Sequence, residues 1–263
     1  MQYAPEDSAP VPIRCLVVVI HSRKRNLPSV GCAGPISLWM VQKCRLFGRV
    51  KDRPRSPKFA PMGTVLHQLE AARKTCRKLL AVLIDPDFGQ DEALLERTVQ
   101  NACMAKADLI FVGGSLLTSS AFDHCVQRVK TLSDRPVVLF PGSPAQLSGH
   151  ADAVLFLSLI SGRNPELLIG HHVTAAPTVR ALGIEAIPTG YMLVDGGRPT
   201  TVSYVSQTMP IPHDKPAIAA ATAIAGELLG LRTMYMDTGS GAKRTVSPEM
   251  ISAVRKGVEL PII

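Results

Sequence analysis

From residue 79 onward, short uninterrupted apolar runs alternate with longer amphipathic stretches. The runs Leu79–Ile84, Leu109–Val112, Val137–Phe140, Ala153–Leu157, Glu185–Pro188 and Thr233–Met236 predict strands, and Leu260–Ile263 predicts the start of another. They are continuous rather than alternating, as expected of strands covered on both faces. Between them, Asp91–Ala107 places Leu95, Val99, Ala102 and Cys103 on one helical face, and Ala121–Leu132 places Phe122, Cys125, Val126 and Val129 on another. Asn164-Pro165-Glu166 supplies an N-cap, a proline at the first helical position and an acid in the first turn. Pro216 opens a helix expected to turn Ile218, Ala221, Thr222, Ala225 and Leu228 inward, with Gly230 ending it, and Ser247-Pro248-Glu249 opens the last. A lead-in helix from Thr64 carries Leu66, Leu69 and Arg73 at helical spacing. One connection breaks the rhythm, because PGSPAQLSGHA after the third run is too broken for a full helix.

Alternation of this kind implies right-handed crossovers and a parallel sheet. The predicted fold is α/β, a TIM (β/α)8-type barrel that is incomplete, ending at the start of strand 7. Residues 62–263 form the barrel domain in this reading. Residues 1–61 read differently, with Pro, Arg and Ser scattered without period, and no ordered structure is expected there.

Charge sharpens that division. The net charge is +8, and residues 1–60 carry 11 Lys/Arg against 3 Asp/Glu, leaving 18 basic and 18 acidic residues for the rest. The body of the chain is formally neutral, which argues against nucleic-acid binding. The basic segment reads as a targeting peptide or as translated upstream sequence, with Met62 as a natural start. The second reading is favoured because no amphipathic Arg-bearing helix is evident. The six cysteines (15, 32, 44, 76, 103 and 125) form no CxxC pair and no metal-ligand spacing with histidine, which suits a reducing cytosol. No apolar stretch approaches the ~18 residues of a membrane span.

In a (β/α) barrel, chemistry gathers at the C-terminal ends of the strands. Those ends read Asp85-Pro86-Asp87, Gly113-Gly114-Ser115, Thr189-Gly190-Tyr191 followed by Asp195-Gly196-Gly197, and Asp237-Thr238-Gly239-Ser240-Gly241-Ala242. Acids, hydroxyls and glycines concentrate there, while the helix-to-strand connections are ordinary. Asp85 and Asp87 are hard oxygen ligands suited to Mg²⁺, or a turn that stops a strand. Gly113-Gly114-Ser115 lets backbone N–H groups approach an anion, or is a tight turn. Asp237 could take a proton from a substrate hydroxyl, or cap its loop. His171-His172, His124 and His150 read as surface residues of helices and loops.

Taken together, the strings LIDPD, FVGGS, NPELLIGHHV, IPTGYMLVDGGRPTTV, PIPHDKPAIAAATAIAGELLG and YMDTGSGAK resemble the geranylgeranylglyceryl phosphate synthase family. They match its larger-subunit group with bacterial members, from about Lys78 to Ile263. The resemblance implies a Mg²⁺-dependent cytosolic prenyltransferase, homo-oligomeric when complete. It would move a polyprenyl group from its diphosphate to the C3 hydroxyl of sn-glycerol 1-phosphate, and its lipid product admits peripheral membrane contact. It assigns Asp85 and Ser115 to the metal and Asp237 to the catalytic base, where Glu is the more familiar acid. Tyr235, Gly239, Ser240 and Gly241 fall to the glycerol phosphate, with Tyr191, Gly196 and Gly197 bordering the same pocket. Two further glycine-rich loops of the family pattern would follow Ile263. On that ground the chain alone is expected to be poorly soluble or inactive, as a fragment of such a synthase. Another phosphate-binding barrel enzyme is the weaker alternative, since it would not share the TGYMLVDGG and PIPHDKP strings.

Overall fold

The computed structural model describes residues 17–19 (backbone only), 64–87, 91–117 and 121–263. Apart from residues 17–19, the basic segment and its three cysteines lie outside the described residues. Six strands run parallel in chain order: β2 (Leu80–Ile84), β3 (Leu109–Val112), β4 (Val137–Leu139), β5 (Ala153–Leu159), β6 (Glu185–Leu193) and β7 (Thr233–Asp237). A short strand, β1 (Val17–Val19), pairs antiparallel with β2 at one edge. It falls in a segment from which no regular structure was expected. At the other edge Ile262 bridges Met234 in parallel, so Leu260–Ile263 runs alongside β7 without becoming a full strand.

The sheet is strongly curled. Phe140, just past β4, and Tyr235 of β7 have ring centroids 4.8 Å apart, although two strands separate theirs. In a flat sheet, three strand spacings would hold them ~14 Å apart. The concave side is filled by Phe111, Val138, Leu155, Ile187, Leu193 and Tyr235. Helix α1 (Thr64–Thr75) joins that core through Val65, Leu69 and Ala72, with Leu66 packed against it, and the largely buried Arg73 pairs with Glu259 at 3.2 Å. The N-terminus of α1 is held from far along the chain. Both Glu185 oxygens accept from its first turn, from Val65 N at 2.9 Å and Leu66 N at 3.0 Å, which favours a carboxylate at that helix end.

The convex side packs on helices α2 (Glu92–Met104), α3 (Phe122–Leu132) and α4 (His171–Leu182) over one half. Helices α6 (Pro216–Leu228) and α7 (Pro248–Gly257) cover the other. Asp91 and Ser247 cap α2 and α7 through their side chains, as their sequences suggest. Helix α6 buries Ala219, Ala223 and Gly226, not the expected Ile218, Ala221, Thr222, Ala225 and Leu228. Its small-residue face is the one that fits, since a Cβ at Gly226 would lie 2.7 Å from Met234 Cε. Close approach outweighs side-chain size here. Two elements went unpredicted: α5 (Thr201–Ser206), and a π-helical turn over Glu166–Gly170 that leads directly into α4. No helix follows β4, so the outer layer has a gap between α3 and α4. Among the described residues, no helix is long and apolar enough to cross a membrane.

Candidate active site

Alternation along β7 turns Tyr235 and Asp237 to the same side, and parallel register sets Tyr191 beside Tyr235 and Leu193 beside Asp237. Tyr191 Oη donates to Asp237 Oδ2 at 2.7 Å, and the Gly239 N–H donates to Oδ1 at 2.8 Å. Both oxygens of the candidate base therefore carry a donor, and its orientation is fixed from two sides. Tyr191 is a buried strand residue, not part of a bordering loop. Burial foremost, then the Asp237 charge, holds the Tyr191 phenol well above its ordinary pKa, so it remains a donor. Tyr235 is pushed up by the same two causes in the same order. Its ring stacks on Tyr191 at 5.6 Å, and its buried hydroxyl finds no hydrogen-bond partner among the described residues. A buried hydroxyl without a partner two residues from a held carboxylate is a candidate contact for a ligand.

Loop geometry supports the carboxylate. Gly239 has φ +83°, and a Cβ there would run into Thr200 Oγ1, so this backbone and this contact both require glycine. Gly241 and the exposed Ser240 follow it at the site's rim. Gly196 is buried under Ala242, and its carbonyl accepts from Lys243 N and Arg244 N, which fastens the loop after β6 to the loop after β7. Gly197 N donates to Asp195 Oδ1 at 2.9 Å, and Arg244 pairs with Asp195 at 3.1 Å. The structure thus gives Gly196 and Gly197 a part in building the rim.

At the opposite end of the strand set, Asp85 Oδ1 accepts from Asp87 N at 3.1 Å. Gly114 lies against the Asp85 carboxylate, since a Cβ there would sit 3.8 Å from both its oxygens, and Ser115 follows. Gly113, at φ +154°, presses on the Phe140 carbonyl so closely that no Cβ fits. Gln146 then locks the two loops together, donating to Gly114 O at 3.0 Å and accepting from Gly142 N at 3.1 Å. The Asp85 charge reaches into the convex core, where it joins the larger effect of burial in pushing the Cys125 thiol up to about 12. Among the described residues, no three His, Cys, Asp or Glu side chains cluster tightly enough to enclose a metal. One carboxylate and a neighbouring hydroxyl suit a cation that keeps several waters and shares substrate phosphate oxygens, which is how Mg²⁺ usually binds.

A groove starts at Gly114, Ser115, Gly142 and Ser143 and runs past Phe140, Tyr191 and Leu157 to an apolar cleft of Leu147, Val154, Phe156 and Ala175. That cleft reaches the outer wall through the gap left by the missing helix after β4. The π-turn and α4 form one side with Leu167, His171 and His172, and α5 overhangs with Val202 and Val205. The two histidines are therefore groove residues and not a surface pair. The His172 ring meets Phe156 edge-on at 4.4 Å, and its buried Nδ1 finds no hydrogen-bond partner among the described residues. Burial, the largest cause, lowers its pKa. His124 and His150 do stand at the surface, beside Glu92 and Asp123.

The chain is similar to known proteins. The geranylgeranylglyceryl phosphate synthase of Chitinophaga pinensis is 56% identical over 186 residues, covering 71% of this chain and 73% of that protein. The protein of the same name from Korarchaeum cryptofilum is 43% identical over 194 residues, covering 74% and 79%. Wild-type GGGPS from Thermoplasma volcanium superposes with a TM-score of 0.70 at 32% identity, covering 76% of this chain and 79% of that one. The Thermoplasma acidophilum synthase, solved in complex with substrate sn-glycerol-1-phosphate, gives a TM-score of 0.69 at 34% identity, covering 76% and 80%. The profile described as the PcrB family matches residues 73–263, and the chain belongs to that family.

Proposed function

We propose that this chain is a prenyltransferase that moves a geranylgeranyl or similar polyprenyl group from its diphosphate onto the C3 hydroxyl of sn-glycerol 1-phosphate. The observation that carries this reading is Tyr191, which lines the apolar groove and also holds Asp237. The candidate base is thereby tied to the wall along which the allylic carbon would lie. Asp237 accepts the proton of the glycerol hydroxyl as its oxygen bonds to C1 of the prenyl group. The bond from C1 to the diphosphate oxygen breaks, and the diphosphate leaves as an anion. The faces of Tyr191 and Phe140 along the groove stabilise positive charge developing on the allylic carbon. Tyr235 offers its unpartnered hydroxyl to the glycerol phosphate.

Asp85 and Ser115 would hold Mg²⁺, which would neutralise charge on the leaving diphosphate. The same reading places the enzyme in the cytosol as a homo-oligomer, and Cys76, Cys103 and Cys125 are free thiols. The test is incubation with sn-glycerol 1-phosphate, geranylgeranyl diphosphate and Mg²⁺, with prenylated glycerol phosphate read by mass spectrometry. Product is expected, reduced at least a hundredfold in Asp237→Asn, and its Mg²⁺-dependent formation lost in Asp85→Ala. Absence of product from the unaltered chain would overturn the prenyltransferase reading. Full activity in Asp237→Asn would overturn the assignment of the base.

A further inference from the structure

Twelve large apolar side chains stand exposed among the described residues, and half of them ring the mouth of the groove. On the lip made by the π-turn and α4, Ile169 is 59% and Val173 68% exposed. On the lip made by α5 and the turn after it, Tyr204 is 83%, Val205 47% and Met209 87% exposed. Leu116, next to the groove residue Ser115, is the sixth. Three of the others, Ile218, Ile224 and Leu228, lie on α6 with Leu229 just past its end, and α6 contributes nothing to the groove.

We infer that this rim is a docking surface for a phospholipid bilayer, seating the groove mouth at the membrane so that a prenyl substrate enters and a lipid product leaves without crossing water. The inference rests on the proposed prenyltransferase reading. Its independent support is continuity. Val205 belongs both to the exposed rim and to the groove lining, and Ile169 lies between the groove residues Leu167 and His171. The apolar surface is thus unbroken from the outside of the molecule to the site. A rim with an aromatic residue and flexible aliphatic tips is suited to the headgroup–acyl boundary. Exposed Arg198 and Lys243, on the loops after β6 and β7, face the same end of the barrel and complement lipid phosphates. A second copy of this chain would find the rim less suitable, because its two lips are separated by the opening that a prenyl chain must use.

The test must exclude the basic first segment, which carries 11 Lys/Arg in 60 residues and would hold anionic vesicles by charge alone. The full chain is therefore floated with purely zwitterionic phosphatidylcholine vesicles in 0.5 M NaCl, where such attraction is screened. Wild type should float with the vesicles, and the Tyr204→Ser/Met209→Glu double variant should lose at least tenfold in partition coefficient. Ile169→Ser, on the opposite lip, should show a smaller loss in the same direction. Turnover of water-soluble geranyl diphosphate in vesicle-free buffer should be unchanged in all three proteins. Equal flotation of wild type and variants, or none by either, overturns the inference. So does a variant that floats normally but falls from oligomer to monomer in sedimentation velocity, because the rim would then be an interface between copies. Normal flotation with no turnover by wild type would leave docking standing and overturn the prenyltransferase reading instead.

Discussion

Replacing Tyr191 with phenylalanine removes one oxygen and keeps the packing. The ring stacks on Tyr235 at 5.6 Å and lies 6.2 Å from Phe140, contacts that phenylalanine retains. What disappears is the 2.7 Å bond to Asp237 Oδ2. A hydrogen bond to a charged group contributes about 1.5–3 kcal/mol. Asp237 is partly exposed, so water can replace some of that, and Oδ1 keeps the Gly239 N–H. A net loss of about 1.5–2.5 kcal/mol is therefore expected in the transition state, or roughly 10- to 70-fold in kcat.

The KM values for both substrates should move less than twofold, because Tyr191 acts on the base and not on the phosphate groups. The defect should also be constant from pH 6 to 9. Burial and the Asp237 charge keep the phenol protonated above that window, so the wild-type donor never titrates within it. Steady-state kinetics at saturating concentrations of both substrates reads these quantities directly. A kcat within twofold of wild type, or a defect confined to KM, would show that the bond does not position the base.

Two further outcomes follow from the same geometry. Gln146→Leu leaves Gly142 N and Gly114 O unpaired beneath the candidate metal side of the site, and should cost about 2–4 kcal/mol in urea unfolding, with a raised KM for the prenyl diphosphate. An unchanged unfolding midpoint would mean the two loops hold together without it. His172→Leu should flatten the acid limb of stability. Burial lowers the His172 pKa in the folded chain, so stability is fully present above the unfolded value of about 6.5 and is lost as pH falls towards the folded pKa. Thermal melts between pH 7.5 and 5 should therefore fall less steeply in the variant than in wild type, and parallel slopes would remove His172 as the cause.

The strands were legible because each is a short apolar run covered on both faces, and that signal survives without knowledge of packing. Element ends were less so. β6 reads as four residues but extends to Leu193, since Thr189, Gly190 and Tyr191 look like a turn and yet are buried in the ladder. Gly190 is there because a Cβ would press on Met234 Sδ and Ile160 Cδ1, a contact invisible along the chain. The inward face of α6 was misread for the same reason, as its alanines and glycine serve close approach. Asp237, Tyr235 and Asp85 were singled out as candidates by their places at strand ends and by the strings around them. The link from Tyr191 to Asp237 spans 46 residues and depends on strand register, which no local pattern encodes.

The groove itself arises from two irregularities, and both explain why its histidines were missed. The broken segment after β4 leaves the outer layer without a helix, so Phe156 of β5 is not fully covered and becomes groove wall, with the buried Val154 beside it. Leu167, within the π-turn, already faces the groove. A π-turn carries one residue more than an α-turn, and one residue corresponds to ~100° of helical rotation. Every residue after Gly170 is rotated by that amount relative to an unbroken α-helix begun at Glu166. The shift brings His171, His172 and Ala175 onto the same wall as Leu167 and turns Val173 outward to the rim. One inserted residue thus sets both the lining of the groove and part of the apolar lip around its mouth.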